Sequence, residues 1–569
     1  MILLATLIQL SNSWSRDFWA PEEPDFAAVI REMEIRMARG ESWAWLFPTI
    51  GGEPYSEKPP LIYWLGLLSS RLTGADARLA YRIPIALAAA FSLLVTYMAG
   101  RRFFNSKVAL AAVWIQATSY LHFHCGSWLL TDMLFSAAVA LSVVAFGVSI
   151  LWRAGSLRWS LLGWLGLSMA ALSKSAPLAF ILVFGPILLF VITKPGGPGI
   201  RREVLALKPF HGLALFLALV APWYLAVYFV KGSEFFREHF VDQHLLRLIG
   251  AESHARPFWQ YFQTLAVDFL PWSPFLPLLV FYGKAHFRRP SPRFFAVWAL
   301  FTFVVLSAIS SKQGKYLLPI WPALALLAAA ALLEEEQESI WEGFLGEGVL
   351  RGLAWGLMVP LAVAALGALS WGIGLHKLLN PGGEVGEILG DEKSMLLWSF
   401  LALLACGALF AAGLRIHRGL GAGGPAAPVA HIGAAALIAF ILFSFAYGSL
   451  NRFKSARALC ERVKAVTEGK KLALYGRNRA AVHYYLERSF IHISHLDRLQ
   501  TGSEEERKLD DFLASEEEVF LLTGVDDLKK LQADFPKYRD RFRSAEERLR
   551  FGYHREAVLV SSRQSSRIR

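Results

Sequence analysis

Cysteine is nearly missing from this chain: Cys125, Cys406 and Cys460 are the only three in 569 residues. None forms a Cys-x-x-Cys pair, so neither a disulfide framework nor a thiolate metal site is expected. Charge is scarce too. Asp, Glu, Lys and Arg make up 18% of the residues, against about 25% in an ordinary soluble domain. No glycine-rich phosphate loop opens a helix, so no nucleotide cofactor is expected. No internal repeat relates the two halves, which argues against a transporter built from duplicated bundles.

What abounds is apolar: 55% of the residues are hydrophobic and the mean hydropathy is +0.40. A run of about 20 apolar residues crosses a bilayer as a helix, and open sheets cannot. Runs near 79–100, 106–124, 132–151, 159–173, 176–193, 209–230, 269–285, 294–310, 316–333, 351–375, 395–413 and 430–450 read as spans. A further one starts at Met1 and is expected to extend toward Trp14, or to have its true start upstream. The fold class is a polytopic α-helical membrane protein with about 13 transmembrane helices over residues 1–450. The formal charge of +12 fits loops of membrane spans better than a nucleic-acid surface, so no nucleic-acid partner is expected. Arg101, Arg102, Lys194, Arg201, Arg202, Arg288, Arg289 and Arg415 fall in alternate loops, which marks those loops as cytoplasmic. The loops 15–78 and 231–268 then face the outside, the periplasm of a Gram-negative inner membrane. The first carries basic residues of its own, so its side rests on span parity. After 450 strands alternate with helices, at 471–476, 479–487, 490–493, 503–514, 518–524, 525–533 and 555–560. Residues 451–569 are therefore expected to form a small soluble α/β domain on the periplasmic side.

Ionisable residues gather at the outer membrane–water boundary. In "FWAPEEPDF" Glu22 and Glu23 lie between Pro21 and Pro24. A carboxylate there can serve as a general base toward a hydroxyl; the plain alternative is helix capping. "PYSEKPPLIYW" brings Tyr55, Glu57 and Lys58 up to two prolines and an apolar run. A lysine there suits a phosphate as a point charge; the alternative is a snorkelling side chain. Asp132, after Thr131, opens a span as a functional group or as its N-cap. In "FFREHFVDQHLLRLIG" His244 and Arg247 share a helix face and suit an anion, or a divalent metal with a nearby carboxylate. The alternative is an interfacial amphipathic helix. Lys312, Lys315 and Tyr316 crowd a short outer turn, where ordinary membrane anchors also occur. His122 and His124 are two apart and do not share a helix face, so the trio His122, His124 and Cys125 is not expected to hold a metal.

The order "WAPEEP", "REM", "YSEKPPLIYW", then Arg82 and Pro84, then "TDM" resembles the polyprenyl-phosphate-sugar glycosyltransferases of the GT-C class. These include the aminoarabinose transferases of lipid A and the protein O-mannosyltransferases. The resemblance covers nearly the whole chain. It implies an inverting enzyme that moves a sugar from an undecaprenyl-phosphate donor to a lipid A-type glycolipid or a protein hydroxyl. It implies catalytic roles for Glu22, Glu23 and Asp132. It implies substrate binding by Tyr55, Lys58, Arg82, Arg247, Lys312 and Tyr316, and a divalent metal held by Glu57 and His244. Membrane lipids are the surroundings, and a monomer is expected. Asp25 and Phe26 stand where the aminoarabinose enzymes carry Arg-Tyr, and the segment between "REM" and Phe47 is longer. The sugar and the acceptor therefore stay open, with a lipid-linked-sugar transporter or flippase as the alternative class.

Overall fold

The computed structural model describes residues 1–11, 13–152, 156–194, 199–237, 256–333, 426–476, 479–487, 490–493, 504–515, 517–535, 544–550 and 556–561. The expected spans 351–375 and 395–413, Cys406, His244 and Arg247 lie outside them. The chain divides into two compact units. One is Met1–Trp14 with Ser56–Tyr447, the other Ser15–Tyr55 with Gly448–Arg569.

The first unit is helical. Among the described residues five helices are long and apolar enough to cross a membrane: Ala77–Phe103, Thr131–Leu151, Pro209–Val230, Pro290–Ala308 and Gly314–Leu333. The Thr131–Leu151 helix has 21 residues, about 31 Å at 1.5 Å per residue, which matches the hydrocarbon core. It is buried along nearly its whole length, because small residues let neighbours approach. A Cβ on Gly166 would stand 2.7 Å from the Ala138 carbonyl oxygen. Ser142 Oγ donates to the Gly163 carbonyl at 2.6 Å, so the Leu157–Ser173 helix lies directly against it.

Three expectations need correction. The run 106–124 is two helices, Ser106–Ala117 and Tyr120–Ser127. Groups from elsewhere hold the break: the Tyr120 N–H donates to the Leu270 carbonyl (2.9 Å), Trp272 Nε1 to Thr118 Oγ1 (3.0 Å) and Trp321 Nε1 to Ser119 Oγ (2.9 Å). The run 269–285 is helical only from Ser273 to Ala285, and that piece bends by 119° from the Gln260–Asp268 helix, which falls in the expected outer loop. Pro271 and Pro274 lie at the bend and have no N–H to continue a helical ladder. The first helix, Ile2–Ser11, stops short of Trp14. In addition, the region read as an outer loop contains a helix, Leu61–Thr73, which ends on the left-handed Gly74.

The second unit combines the first loop with the C-terminal part. Strands β1 (Thr49–Ile50) and β2 (Glu53–Pro54) form a hairpin across Gly51 and Gly52, at φ of 63° and 80°. That turn needs left-handed residues, which glycine supplies without strain. The Glu32 carboxylate accepts from Thr49 Oγ1 (2.5 Å) and from the N–H groups of Gly51 (2.5 Å) and Gly52 (2.9 Å). Strands β3 (Lys471–Tyr475), β4 (Ile491–Ile493), β5 (Val519–Gly524), β6 (Ser544–Arg550) and β7 (Glu556–Ser561) make one sheet in the order β4-β3-β5-β7-β6. Strands β3, β4 and β5 run parallel, and β7 is antiparallel to β5 and β6. The two-residue period of a strand sends alternate side chains to opposite faces. Leu472, Leu474, Phe520 and Leu522 pack with the Arg457–Val466 and Arg479–Leu486 helices. Ala473, Val519, Leu521 and Val560 pack with the Glu504–Leu513 and Val525–Asp534 helices.

Gly51→Ala should be destabilising, since an alanine would both hold positive φ and run into the His483 imidazole. A loss of about 1–3 kcal/mol is expected, read as a lower Tm of the purified protein, with Gly52→Ala milder because nothing lies within 4 Å of its Cβ position.

Candidate active site

In the helical unit the chemistry gathers on Asp132, the second residue of its helix. Leu130 occupies the capping position and no side chain caps the helix, so the N-cap reading of Asp132 is corrected. The carboxylate is 5% exposed and is held from two sides, by Lys174 Nζ at 2.5 Å and Lys315 Nζ at 3.9 Å. Lys58 supplies a third positive charge that acts on it. Lys174 also stands 3.9 Å above the centre of the Tyr316 ring, a cation–π geometry. Three ammoniums acting on one carboxylate leave an excess of positive charge, the setting an anionic phosphate needs.

Each group is delivered by a short irregular segment. Lys174 sits in the two-residue turn between the Leu157–Ser173 and Ala176–Ile192 helices. Lys315 and Tyr316 lie in the 3-10 turn Gly314–Ile320. Glu57 and Lys58 precede Pro59 and Pro60, and Pro60 caps the Leu61–Thr73 helix. There Lys58 Nζ donates to the Glu57 carbonyl at 3.3 Å. Sequence reasoning missed Lys174. An ionisable residue in a serine-flanked turn between two apolar runs was the available signal.

Two expected binding residues bond to backbone. Lys312 is buried and donates to the carbonyls of Arg256 (3.1 Å) and Ile309, so it fastens the 311–315 turn. Burial pushes its ammonium below the ordinary value. Arg82 is fully buried at the start of the Ile83–Phe103 helix and donates to the carbonyls of Ser13 (3.4 Å) and Arg78 (3.3 Å).

In the other unit the two adjacent glutamates differ. Glu23 is fully buried. Its carboxylate accepts from Arg16 at 2.9 and 3.3 Å and from the Trp19 N–H at 3.1 Å, and Arg16 is fully buried as well. Glu22 is half-buried and precedes the Glu23–Ala38 helix without a side-chain capping bond. The segment between them and Arg16 is pinned: Tyr485 Oη accepts from the Phe18 N–H at 2.9 Å, and Trp19 Nε1 donates to Asn451 Oδ1 at 2.8 Å. Arg31 bridges Glu487 at 2.8 Å and holds that carboxyl below the usual range. The Tyr55 N–H donates to the Pro48 carbonyl at 2.9 Å.

Among the described residues no group of three or more His, Cys, Asp or Glu side chains gathers as a metal donor set. Glu57 is the described member of the expected metal pair, and the described residues by themselves do not complete a site.

Comparison with known proteins points the same way. A family model for dolichyl-phosphate-mannose-protein mannosyltransferases matches residues 57–225. An undecaprenyl phosphate-alpha-4-amino-4-deoxy-L-arabinose arabinosyl transferase of Pseudomonas paraeruginosa is 31% identical over 72% of this chain and 69% of its own. The protein of that name from Pseudomonas aeruginosa is 32% identical over the same shares, 72% and 69%. The crystal structure of ArnT from Cupriavidus metallidurans bound to undecaprenyl phosphate shares the fold, with a TM-score of 0.76 over 99% of this chain and 97% of that one at 18% identity. With the ordered motifs, the helical unit and relatives that match along most of their length, the chain belongs to the undecaprenyl phosphate-aminoarabinose arabinosyl transferase family, membrane glycosyltransferases of the GT-C class.

Proposed function

We propose that the protein transfers a sugar from an undecaprenyl-phosphate donor to a lipid A-type glycolipid, with inversion, on the periplasmic side of a bacterial inner membrane. The observation that carries this reading is the lysine-rich cluster around Asp132. As the bond from the sugar to the lipid phosphate breaks, charge develops on the phosphate oxygens. Lys58 and Lys315 stabilise that charge, and a fixed cation at a developing charge lowers the barrier directly. Asp132 and Lys174 hold the cluster in place, and Tyr316 supports Lys174 from below. Asp132 is committed to ion pairs, so it acts as an orienting group. Glu22 keeps the role that the family motif gives it, accepting the proton of the attacking acceptor hydroxyl. Arg247 and Tyr55 keep the donor-binding roles that the family motif gives them. A divalent ion, with Glu57 and His244 as the ligands that the family motif gives it, would add positive charge beside the phosphate. About 13 spans, a periplasmic C-terminal domain and a monomer complete the proposal. The names of the relatives and the undecaprenyl phosphate bound to ArnT support the donor class.

The test is mass spectrometry of envelope lipids and glycoproteins from cells with the protein, without it, and with Lys58→Ala. A hexose- or aminosugar-sized mass on a glycolipid should vanish in both the deletion and the variant. In vitro transfer by Lys58→Ala should fall about 100-fold or more. The same mass on a protein would move the acceptor to a protein hydroxyl. No lost mass, with lipid redistributed between leaflets, would overturn the reading in favour of a transporter.

A further inference from the structure

Asp268 ends the Gln260–Asp268 helix and lies against the turn that carries Lys315 and Tyr316. A Cβ on Gly314 would stand 2.6 Å from Asp268 Oδ2 and 3.3 Å from Thr264 Cγ2, so the carboxylate rests on that glycine. Asp268 belongs to the same electrostatic neighbourhood as the phosphate cluster: Asp132, Lys174, Lys315 and Asp268 all act on the fully buried Cys125 thiol. The chain after Asp268 is fixed by the bond from the Tyr120 N–H to the Leu270 carbonyl and by the fully buried Trp272 on Thr118. Among the described residues no hydrogen bond or ion pair holds the Asp268 carboxylate, although it is half-buried. A carboxylate partly kept from water without a partner is costly, and such a group beside a ligand site is a candidate ligand contact.

We propose that Asp268 reads the transferred sugar, its carboxylate accepting hydrogen bonds from hydroxyl or amino hydrogens of the carbohydrate carried on the lipid phosphate. This deepens the glycosyl-transfer reading and rests on it. The phosphate itself is repelled by Asp268 and is drawn to the lysines. What a carboxylate beside a phosphate site can accept is a hydrogen-bond donor, and the sugar is the part of the donor substrate rich in them. A site built this way rejects sugars that lack the matching hydrogen, because the carboxylate is then buried unpaired. Gly314 is part of the device, since any side chain there displaces the carboxylate.

The experiment uses the full-length protein in lipid nanodiscs. Binding of undecaprenyl phosphate alone is measured first. Donor KM, acceptor KM and kcat then follow, with undecaprenyl-phosphate donors carrying an aminopentose or a neutral hexose. Asp268→Asn should leave undecaprenyl phosphate binding and acceptor KM unchanged and raise donor KM roughly 10-fold or more. Gly314→Ala, with Asp268 intact, should raise donor KM in the same way. A loss confined to the aminopentose donor identifies an ammonium as the partner, and a loss with both identifies a hydroxyl. Unchanged donor KM in both variants overturns the inference. So does a change in acceptor KM alone, or loss of undecaprenyl phosphate binding, which would make Asp268 structural. If the wild-type protein binds no undecaprenyl phosphate and turns over neither donor, the functional reading fails and this inference fails with it.

Discussion

Asp132→Ala should lose both transfer and stability, and the conservative Asp132→Asn should lose transfer with a smaller stability change. The reason is the placement of its partners. Lys174 is only 14% exposed on its side chain and Asp132 5%. Removing one member of a buried pair strands the other, at a cost of about 3–5 kcal/mol. The Tyr316 ring under Lys174 returns a part of this, on the order of 2 kcal/mol when desolvated. Asparagine keeps the volume and a hydrogen bond but not the charge, so the lysines lose their common anchor. Transfer by Asp132→Asn is expected to drop about 100-fold or more, as when one group that organises transition-state charge is removed. In the double variant Asp132→Asn with Lys174→Met the two closest charges are removed together, and of the paired lysines only Lys315 still loses the Asp132 carboxylate. Its Tm should recover relative to Lys174→Met alone, while its transfer should stay low. Thermal unfolding and donor turnover, measured on all three, check this. Full transfer by Asp132→Asn would remove Asp132 from the site.

The second large effect separates the neighbouring glutamates. Glu23→Ala should prevent the unit that carries it from folding normally, because it removes the two-toothed carboxylate partner of the fully buried Arg16 and takes the acceptor from the Trp19 N–H. The expected loss is about 3–5 kcal/mol for the charge and about 1 kcal/mol for the hydrogen bond. That is a large share of the 5–15 kcal/mol, roughly, that holds a domain together. Limited proteolysis and yield of the purified protein would report it. Glu22→Gln, which keeps the side chain's size and an acceptor oxygen, should lower Tm far less than Glu23→Ala and cut transfer by about 100-fold to 10,000-fold, the range of a lost general base. If Glu22→Gln turned over normally and a well-folded Glu23→Gln did not, the base would have to be reassigned to Glu23.

These predictions follow from the part of the site that was harder to read. Thr131–Leu151 and Pro290–Ala308 were legible because apolar length is a local property, and hydropathy alone measures it. The alternation of "KLALY" and "VFLLTG" with helical segments likewise announced a sheet. The break at Thr118 and Ser119 was not legible: the groups that hold it, Leu270, Trp272 and Trp321, come from distant parts of the chain. Strand β6, "SAEERLR", was missed because it is an edge strand paired only with β7 and has no apolar alternation to announce it.

The sequence by itself marked a polytopic membrane protein, since span length is written in neighbouring residues, and the order of its motifs carried the resemblance to lipid-phosphate glycosyltransferases. It also named Asp132, Lys58 and Tyr316. Only the tertiary structure decided what these residues do for one another: that Lys174 grips Asp132, that Lys312 is bound to carbonyls, and that Glu23 is spent on Arg16. The physical reason is that the interaction of two charges depends on their separation in space and on the water between them, and neither quantity is set by their separation along the chain.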